Sequence, residues 1–330
     1  MYRLLLALVL VFAAGDARAE DASEPLTLRS VTYSSLRQLL TGAAPDAQVD
    51  VPALLNLPAR VTSARMPAVV VLHSLAGFRK ENEGWQAREL RQAGFATLTY
   101  DSCATRGMGD LVTAPRRGPP PYPSALADAF AALSALSRDP RIDPQRIAIL
   151  GFSFGGEVAH VTAFKRISGA LARDGEQFAA HVAYYPAGVY GVVAGETAYT
   201  DAPILIMVGG DDTLPKAKVE AYLAYEKASG HPAPIELVTY PEASHGWTSP
   251  SIGPSREFPY LASTQKCPFA LITPHQGLQL LIDGQPRPFD DKGFEACIRD
   301  NLGYTMGFNE AVRRQSTEAA IGFLKRHLSQ

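Results

Sequence analysis

Residues 147–156 read Ile-Ala-Ile-Leu-Gly-Phe-Ser-Phe-Gly-Gly, and this stretch decides the fold. An apolar run without polar alternation is a strand covered on both faces. It breaks into Gly-x-Ser-x-Gly, and an Ala/Val-rich helical pattern follows over Glu157–Lys165. A chain that turns so sharply from strand to helix holds its serine at a strained backbone angle, with the hydroxyl lifted clear of the sheet. Gly151 and Gly155 carry no Cβ, so neighbouring segments can approach closely. The helix that follows aims free N–H groups at any anion formed beside it. Ser153 is thus the candidate nucleophile. The bland alternative is a glycine-rich turn, since five residues with three fixed recur by chance; the flanking sequence has to decide.

The flanks alternate apolar runs with helical patterns, the signature of a mostly parallel sheet with helices on both faces. Strands are expected near Leu26–Thr32, Val49–Asn56, Val69–Leu72, Phe95–Tyr100, Ile147–Leu150, His181–Tyr185, Ile204–Val208 and Ile235–Tyr240. Helices are expected near Gly84–Gln92, Ala125–Leu136, Lys216–Ala228 and Thr317–Leu328, with a Pro/Gly/Arg-rich loop over Ala104–Pro123. Residues 249–305 break the alternation. Leu278–Ile282 and Gln285–Phe289 flank Asp283-Gly284, a hairpin turn signal. We expect an excursion bearing this hairpin before the last helix, within one domain over 20–330.

Arg3, the apolar stretch Leu4–Ala14 and Ala17-Arg18-Ala19 read as an export signal cleaved near Ala19. The apolar stretch is too short to span a bilayer, which takes about 20 residues, so no stable membrane anchor is expected. The destination is periplasmic or secreted. A net charge of −2 argues against nucleic acid as a partner. Of the three cysteines, Cys267 and Cys297 bracket one local segment and are the preferred disulfide pair, which export would permit. Cys103 would be free. The cysteine spacing is wrong for zinc, and neither a metal nor a cofactor is expected.

A serine hydroxyl needs a base, and the base needs an orienting acid. Of seven histidines, His245 stands out, because Tyr240–Trp247 leaves a strand end and opens into a loop. His160 and His181 fall inside a helix and a strand, where packing roles dominate. The acid should follow the preceding strand, in Gly209-Gly210-Asp211-Asp212; Asp211 is preferred and Asp212 is the alternative. Ser, Asp, His is the chain order of α/β hydrolases. Two backbone donors should meet the oxyanion, the N–H of Phe154 and that of Leu75 in the loop His73–Gly77. His73 would hold that loop. Arg106 is a candidate for binding an anionic substrate group. Tyr184, Tyr185 and Trp247 lie near the expected site, as substrate contacts or as packing.

With these residues in hand, the chain resembles the dienelactone hydrolase family of α/β hydrolases. The likeness runs over roughly residues 50–250 and the final helix. It is carried by His73–Gly77, by Tyr100–Cys103 with Arg106-Gly107, by Gly151–Gly156 and by Tyr240–Trp247. Family members that open dienelactones use a cysteine nucleophile, whereas this chain has Ser153, so their substrate does not carry over. The resemblance implies hydrolysis of a small ester, lactone or thioester. Two rivals are an exopeptidase on the same fold and a catalytically idle binding protein.

Overall fold

The computed structural model describes residues 23–59, 65–108, 122–214, 216–275 and 277–328. The expected export signal lies outside them, as does most of the Pro/Gly/Arg-rich loop. The strands up to the histidine loop are β1 (Ser23–Thr32), β2 (Ala47–Asn56), β3 (Met66–Leu72), β4 (Ala96–Tyr100), β5 (Ile142–Phe152), β6 (Ala180–Tyr184), β7 (Tyr190–Val192), β8 (Ile204–Gly209) and β9 (Ile235–Tyr240). The helices among them are α1 (Leu36–Leu40), α2 (Glu83–Gln92), α3 (Ser102–Thr105), α4 (Tyr122–Ser137), α5 (Phe154–Val161), α6 (Lys165–Leu171) and α7 (Lys216–Ala228). All but β7 form an eight-stranded sheet ordered β1-β2-β4-β3-β5-β6-β8-β9. β1 and β2 run antiparallel, and the remaining six strands are parallel.

The apolar runs explain this sheet. Successive residues of a strand face opposite sides, so Val70, Leu72, Ile147 and Ile149 enter one core while Val69, Val71, Ala148 and Leu150 enter the other. Helices α4, α5 and α7 cover the first face, through residues such as Leu133, Val158 and Tyr222. Leu90 of α2, with Phe323 and Leu324 near the C terminus, covers the second. A strand covered on both faces needs no polar residue, which is why β3 and the buried stretch Ile147–Phe152 of β5 read as unbroken apolar runs.

Beyond the histidine loop come β10 (Arg256–Ala262), β11 (Phe269–Ile272), β12 (Leu278–Ile282), β13 (Gln285–Pro288), α8 (Asp291–Asp300), β14 (Leu302–Met306) and α9 (Glu310–Leu328). The expected hairpin is β12–β13. Asp283 and Gly284 both have positive φ, 51° and 73°, the turn geometry that an Asp-Gly pair serves. The excursion is larger than a hairpin, however. β11 joins β12 on one side and, in parallel, β7 on the other, while β10 and β14 form a separate ribbon. Cys267 and Cys297 are disulfide-bonded, and Cys103 is buried and takes no part in that bond. Helix α9 begins seven residues earlier than its apolar pattern suggests. The polar stretch Arg313–Ser316 interrupts the apolar pattern after Val312, and the Asn309 side chain caps the helix by accepting the N–H of Val312 at 3.1 Å.

Candidate active site

The elbow carries the strain that its sequence demands. Ser153 has φ 52°, a left-handed value that a residue with a Cβ rarely adopts. A Cβ on Gly151 would lie 2.1 Å from the Gly155 carbonyl oxygen, and one on Gly155 would lie 2.5 Å from that of His73. Both glycines are therefore steric requirements, and the second lets the loop after β3 sit directly against the start of α5. Strand β6 fixes the bend from its other side, where the Tyr184 carbonyl accepts the Ser153 N–H at 2.9 Å.

Parallel strands bring the remaining groups to the same edge. Ser153 follows β5, Asp212 follows β8 and His245 follows β9, each beyond the carboxyl end of its strand, where α/β sheets gather chemistry. Ser153 Oγ lies 2.8 Å from His245 Nε2, and His245 Nδ1 lies 2.8 Å from Asp212 Oδ2. A carboxylate can only accept, so Nδ1–H donates to Asp212 and Nε2 is left to accept the serine proton. Asp212 and His245 are 1% and 2% exposed, which excludes water from competing for this chain of hydrogen bonds. The other Asp212 oxygen accepts the Leu214 N–H at 2.9 Å.

The preference for Asp211 is corrected here. Its N–H donates to the Ala243 carbonyl at 3.1 Å and its side chain is exposed; the next residue, Asp212, turns inward. Two adjacent carboxylates after a Gly-Gly pair look alike in sequence, and only the path of the turn separates them.

The loop after β3 is held from three directions. His73 Nδ1–H donates to the Ser74 carbonyl at 2.6 Å, and Nε2 accepts the Ser102 N–H at 2.9 Å. The wholly buried Glu83 carboxylate accepts the N–H groups of Ser74 and Arg79 and the Asn82 amide. Burial pushes the Glu83 carboxyl above its ordinary range, against those donors. Phe154, the first residue of α5, keeps its N–H free of intrahelical bonds. Leu75 is half-buried in the loop that Gly155 admits.

Three expected substrate contacts are not brought to an open site. Arg106 is buried and forks onto Asp128, with nitrogen–oxygen distances of 2.7 and 2.9 Å. Asp128 also accepts the hydroxyls of Ser30 and Ser102, both at 2.6 Å. Arg106 is thus spent neutralising a buried carboxylate that positions Ser102, and through it His73. Trp247 is fully buried, donating from its indole N–H to Ser316 Oγ at 3.1 Å. Tyr185 is buried too, its hydroxyl paired with Thr248 Oγ1 and its ring centroid 5.0 Å from that of His245. Tyr184 donates to the Ser316 carbonyl from within the core.

Sequence reading missed other residues. Glu157, one turn below Ser153, is wholly buried and accepts the N–H groups of Gly188, Val189 and Tyr190 at 2.7–3.1 Å. Burial pushes its carboxyl up, while the three donors pull it back down. A lone acid in the apolar run of α5 was a legible signal. Tyr304 of β14 packs edge-on against His245 with centroids 5.3 Å apart, and nothing local in the sequence announces it. His73, Asp101 and Cys103 bring possible ligand atoms within 4.8 Å of one another. Both His73 nitrogens are already engaged, and Asp101 accepts the N–H groups of Phe78 and Ala104. The cluster therefore reads as part of the loop's hydrogen-bond network.

The family model that matches the chain is that of the dienelactone hydrolase family, over residues 51–267. Among solved structures, the chain is similar to a dienelactone hydrolase-like promiscuous phosphotriesterase from metagenomic libraries. The two share 18% identity at a TM-score of 0.52, over 93% of this chain and 99% of that one. A thermophilic esterase from the planctomycete Thermogutta terrifontis matches at 16% identity and a TM-score of 0.45, over 60% of this chain and 79% of its own. No curated protein matches.

Proposed function

The chain belongs to the dienelactone hydrolase family and is a hydrolase acting on ester bonds; on that premise we propose that it works through a Ser153–His245–Asp212 triad and an acyl-enzyme. The substrate class is a small carboxylic ester, lactone or thioester. The observation that carries the reading is the buried chain of two 2.8 Å hydrogen bonds from the elbow serine through His245 to Asp212.

The steps follow from the geometry. His245 Nε2 takes the Ser153 proton as Oγ attacks the acyl carbon. The oxyanion is met by the N–H groups of Phe154 and Leu75. Asp212 keeps Nδ1 protonated and stabilises the imidazolium. His245 returns the proton to the departing alcohol, then activates the water that cleaves the acyl-enzyme and frees Ser153. The buried seats of Arg106, Tyr185 and Trp247 make them supports of this machinery. Their burial leaves substrate recognition to other residues.

We read the chain from residue 20 onward as one exported hydrolase domain. The Cys267–Cys297 bond supports export, since such bonds persist in oxidising compartments. Among the described residues no helix is long and apolar enough to cross a membrane.

The test is hydrolysis of p-nitrophenyl esters of increasing chain length by the native protein beside Ser153→Ala. Serine-dependent turnover is expected, with a loss of roughly four to six orders of magnitude in kcat for the variant. A folded native protein that neither cleaves any ester nor reacts with a fluorophosphonate probe would put the idle binding protein in its place.

A further inference from the structure

His245 packs against two tyrosine rings of different origin. Tyr185, at the end of β6, presses on it from the sheet side at 5.0 Å between centroids, with 66° between the planes. Tyr185 is itself fixed, by its hydroxyl bond to Thr248 and by Trp247 at 4.5 Å. Tyr304 presses at 5.3 Å and 86°, and it comes from the excursion. Strand β14 delivers it. Met306 forms a bridge with His245, and the Gly307 N–H donates to the His245 carbonyl at 3.0 Å. The backbone of β14 therefore holds the histidine's backbone while its Tyr304 ring bounds the imidazole. Among the described residues the Tyr304 hydroxyl makes no hydrogen bond, so the contact belongs to the ring.

What holds β14 in turn is the disulfide. Cys297 lies in the last turn of α8, just before Asn301 and β14. Asn301 bonds back to the Cys297 carbonyl through its N–H at 3.2 Å and its side-chain amide at 2.7 Å. Its own carbonyl accepts the Ser263 N–H at 2.8 Å. Cys267, the other half of the bond, follows Thr264, whose hydroxyl donates to the Ala187 carbonyl in the loop after Tyr185. The staple thus joins the start of β14 to the segment anchored beside the other tyrosine. Strands β11 and β12 join the main core through Phe269, Leu271, Ile272 and Leu281, but among the described residues the β10–β14 ribbon contributes none to the apolar clusters, so apolar packing alone is a weak restraint on the ribbon.

We propose that Tyr304 is a positioning residue for His245, and that the Cys267–Cys297 bond keeps it in place, so that the excursion completes a tyrosine clamp on the base. This rests on the triad reading above. An imidazole must keep Nε2 on the serine and Nδ1 on the acid at once, and a small tilt loses both. Misplacement by about 1 Å costs on the order of 10²-fold in rate.

The test measures kcat and KM for the best p-nitrophenyl ester, with the thermal midpoint as a check on folding. Tyr304→Ala is expected to lower kcat ten- to a hundredfold with KM within about threefold. Tyr304→Phe, which keeps the ring, is expected to restore kcat to within about threefold of native. Replacing both cysteines by serine is expected to lower kcat about tenfold in the native background, and less than twofold when Tyr304→Ala is already present. Dithiothreitol offers an arm that leaves Tyr304 intact. It is oxidised to its cyclic disulfide as the protein's cystine becomes two thiols, and kcat should fall likewise and recover on reoxidation.

Native kcat in Tyr304→Ala overturns the clamp. So does Tyr304→Phe impaired as badly as Tyr304→Ala. Losses from Tyr304→Ala and from cystine removal that simply multiply overturn the tether, as does native kcat in the fully reduced, folded enzyme. In all of these, turnover that still depends on Ser153 leaves the triad standing. Absence of any Ser153-dependent turnover removes both readings together.

Discussion

The two regions that meet at His245 are built by different physics. On the sheet side, six parallel strands bury apolar runs on both faces, and Ser153, Asp212 and His245 sit where those strands end. Their positions are set by many buried contacts. On the excursion side, a ribbon and a small mixed sheet expose Tyr260, Ile282 and Leu302; the mixed sheet reaches the main core through Phe269, Leu271 and Ile272, the ribbon joins none of the apolar clusters among the described residues, and a covalent bond supplements the packing. The difference teaches that one histidine can be packed from two unlike regions, one held by burial and one carrying a cross-link. Disturbing each restraint separately should give separate signatures.

The largest effect belongs to the sheet side. Asp212→Asn should lower kcat by roughly 10⁴-fold, because the wrong tautomer leaves Nε2 protonated. Asp211→Asn should stay within about twofold of native, since that side chain faces solvent. Equal losses in a side-by-side esterase assay would erase the distinction drawn between the two carboxylates.

Acid should find the sheet side next. His160 and His181 are buried among apolar neighbours, and burial pushes them down to about 3 and about 4. The unfolded chain takes up protons near pH 6.5 and the native one resists, so stability is full above pH 6.5. It falls as pH drops from there towards 4, by on the order of 3 kcal/mol per histidine. Urea unfolding followed from pH 7.5 to 4.5 measures the slope, which should flatten in His181→Gln. An unchanged slope would move the acid-sensitive group elsewhere.

The excursion side should respond least in global terms and most locally. Opening the loop of about 30 residues removes roughly 3–4 kcal/mol of constraint from the unfolded chain. In amide hydrogen exchange, the reduced protein should lose protection in β10–β14 before β3, β5 or β6. Simultaneous loss in both regions would mean that they unfold as one unit.

How much of this was legible in sequence varies by element. The elbow was, because glycine, serine and an apolar strand run encode a local backbone path. The Asp-Gly hairpin was, because positive φ at two adjacent positions is a property of the residues themselves. The cysteine pair and the candidate roles of His245 and Ser153 followed from order along the chain. Arg106 misled: a charged residue in a Gly-flanked segment reads as exposed, and its partner Asp128 lies one helix away in what reads as a plain Ala-rich pattern. The start of α9 was hidden by the polar stretch Arg313–Ser316, which interrupts its apolar pattern.

The sequence by itself determined the strand runs, the strained serine turn and the edge of the sheet where the chemistry would gather, since each is written in neighbouring residues. Only the tertiary structure decided that Asp212 meets His245, that the side chains of Arg106, Tyr185 and Trp247 are buried, and that Tyr304 packs on the imidazole from 59 residues further along. Those choices depend on which side chains burial brings together from distant segments. No local pattern records that, because the same residue types serve equally well at the surface.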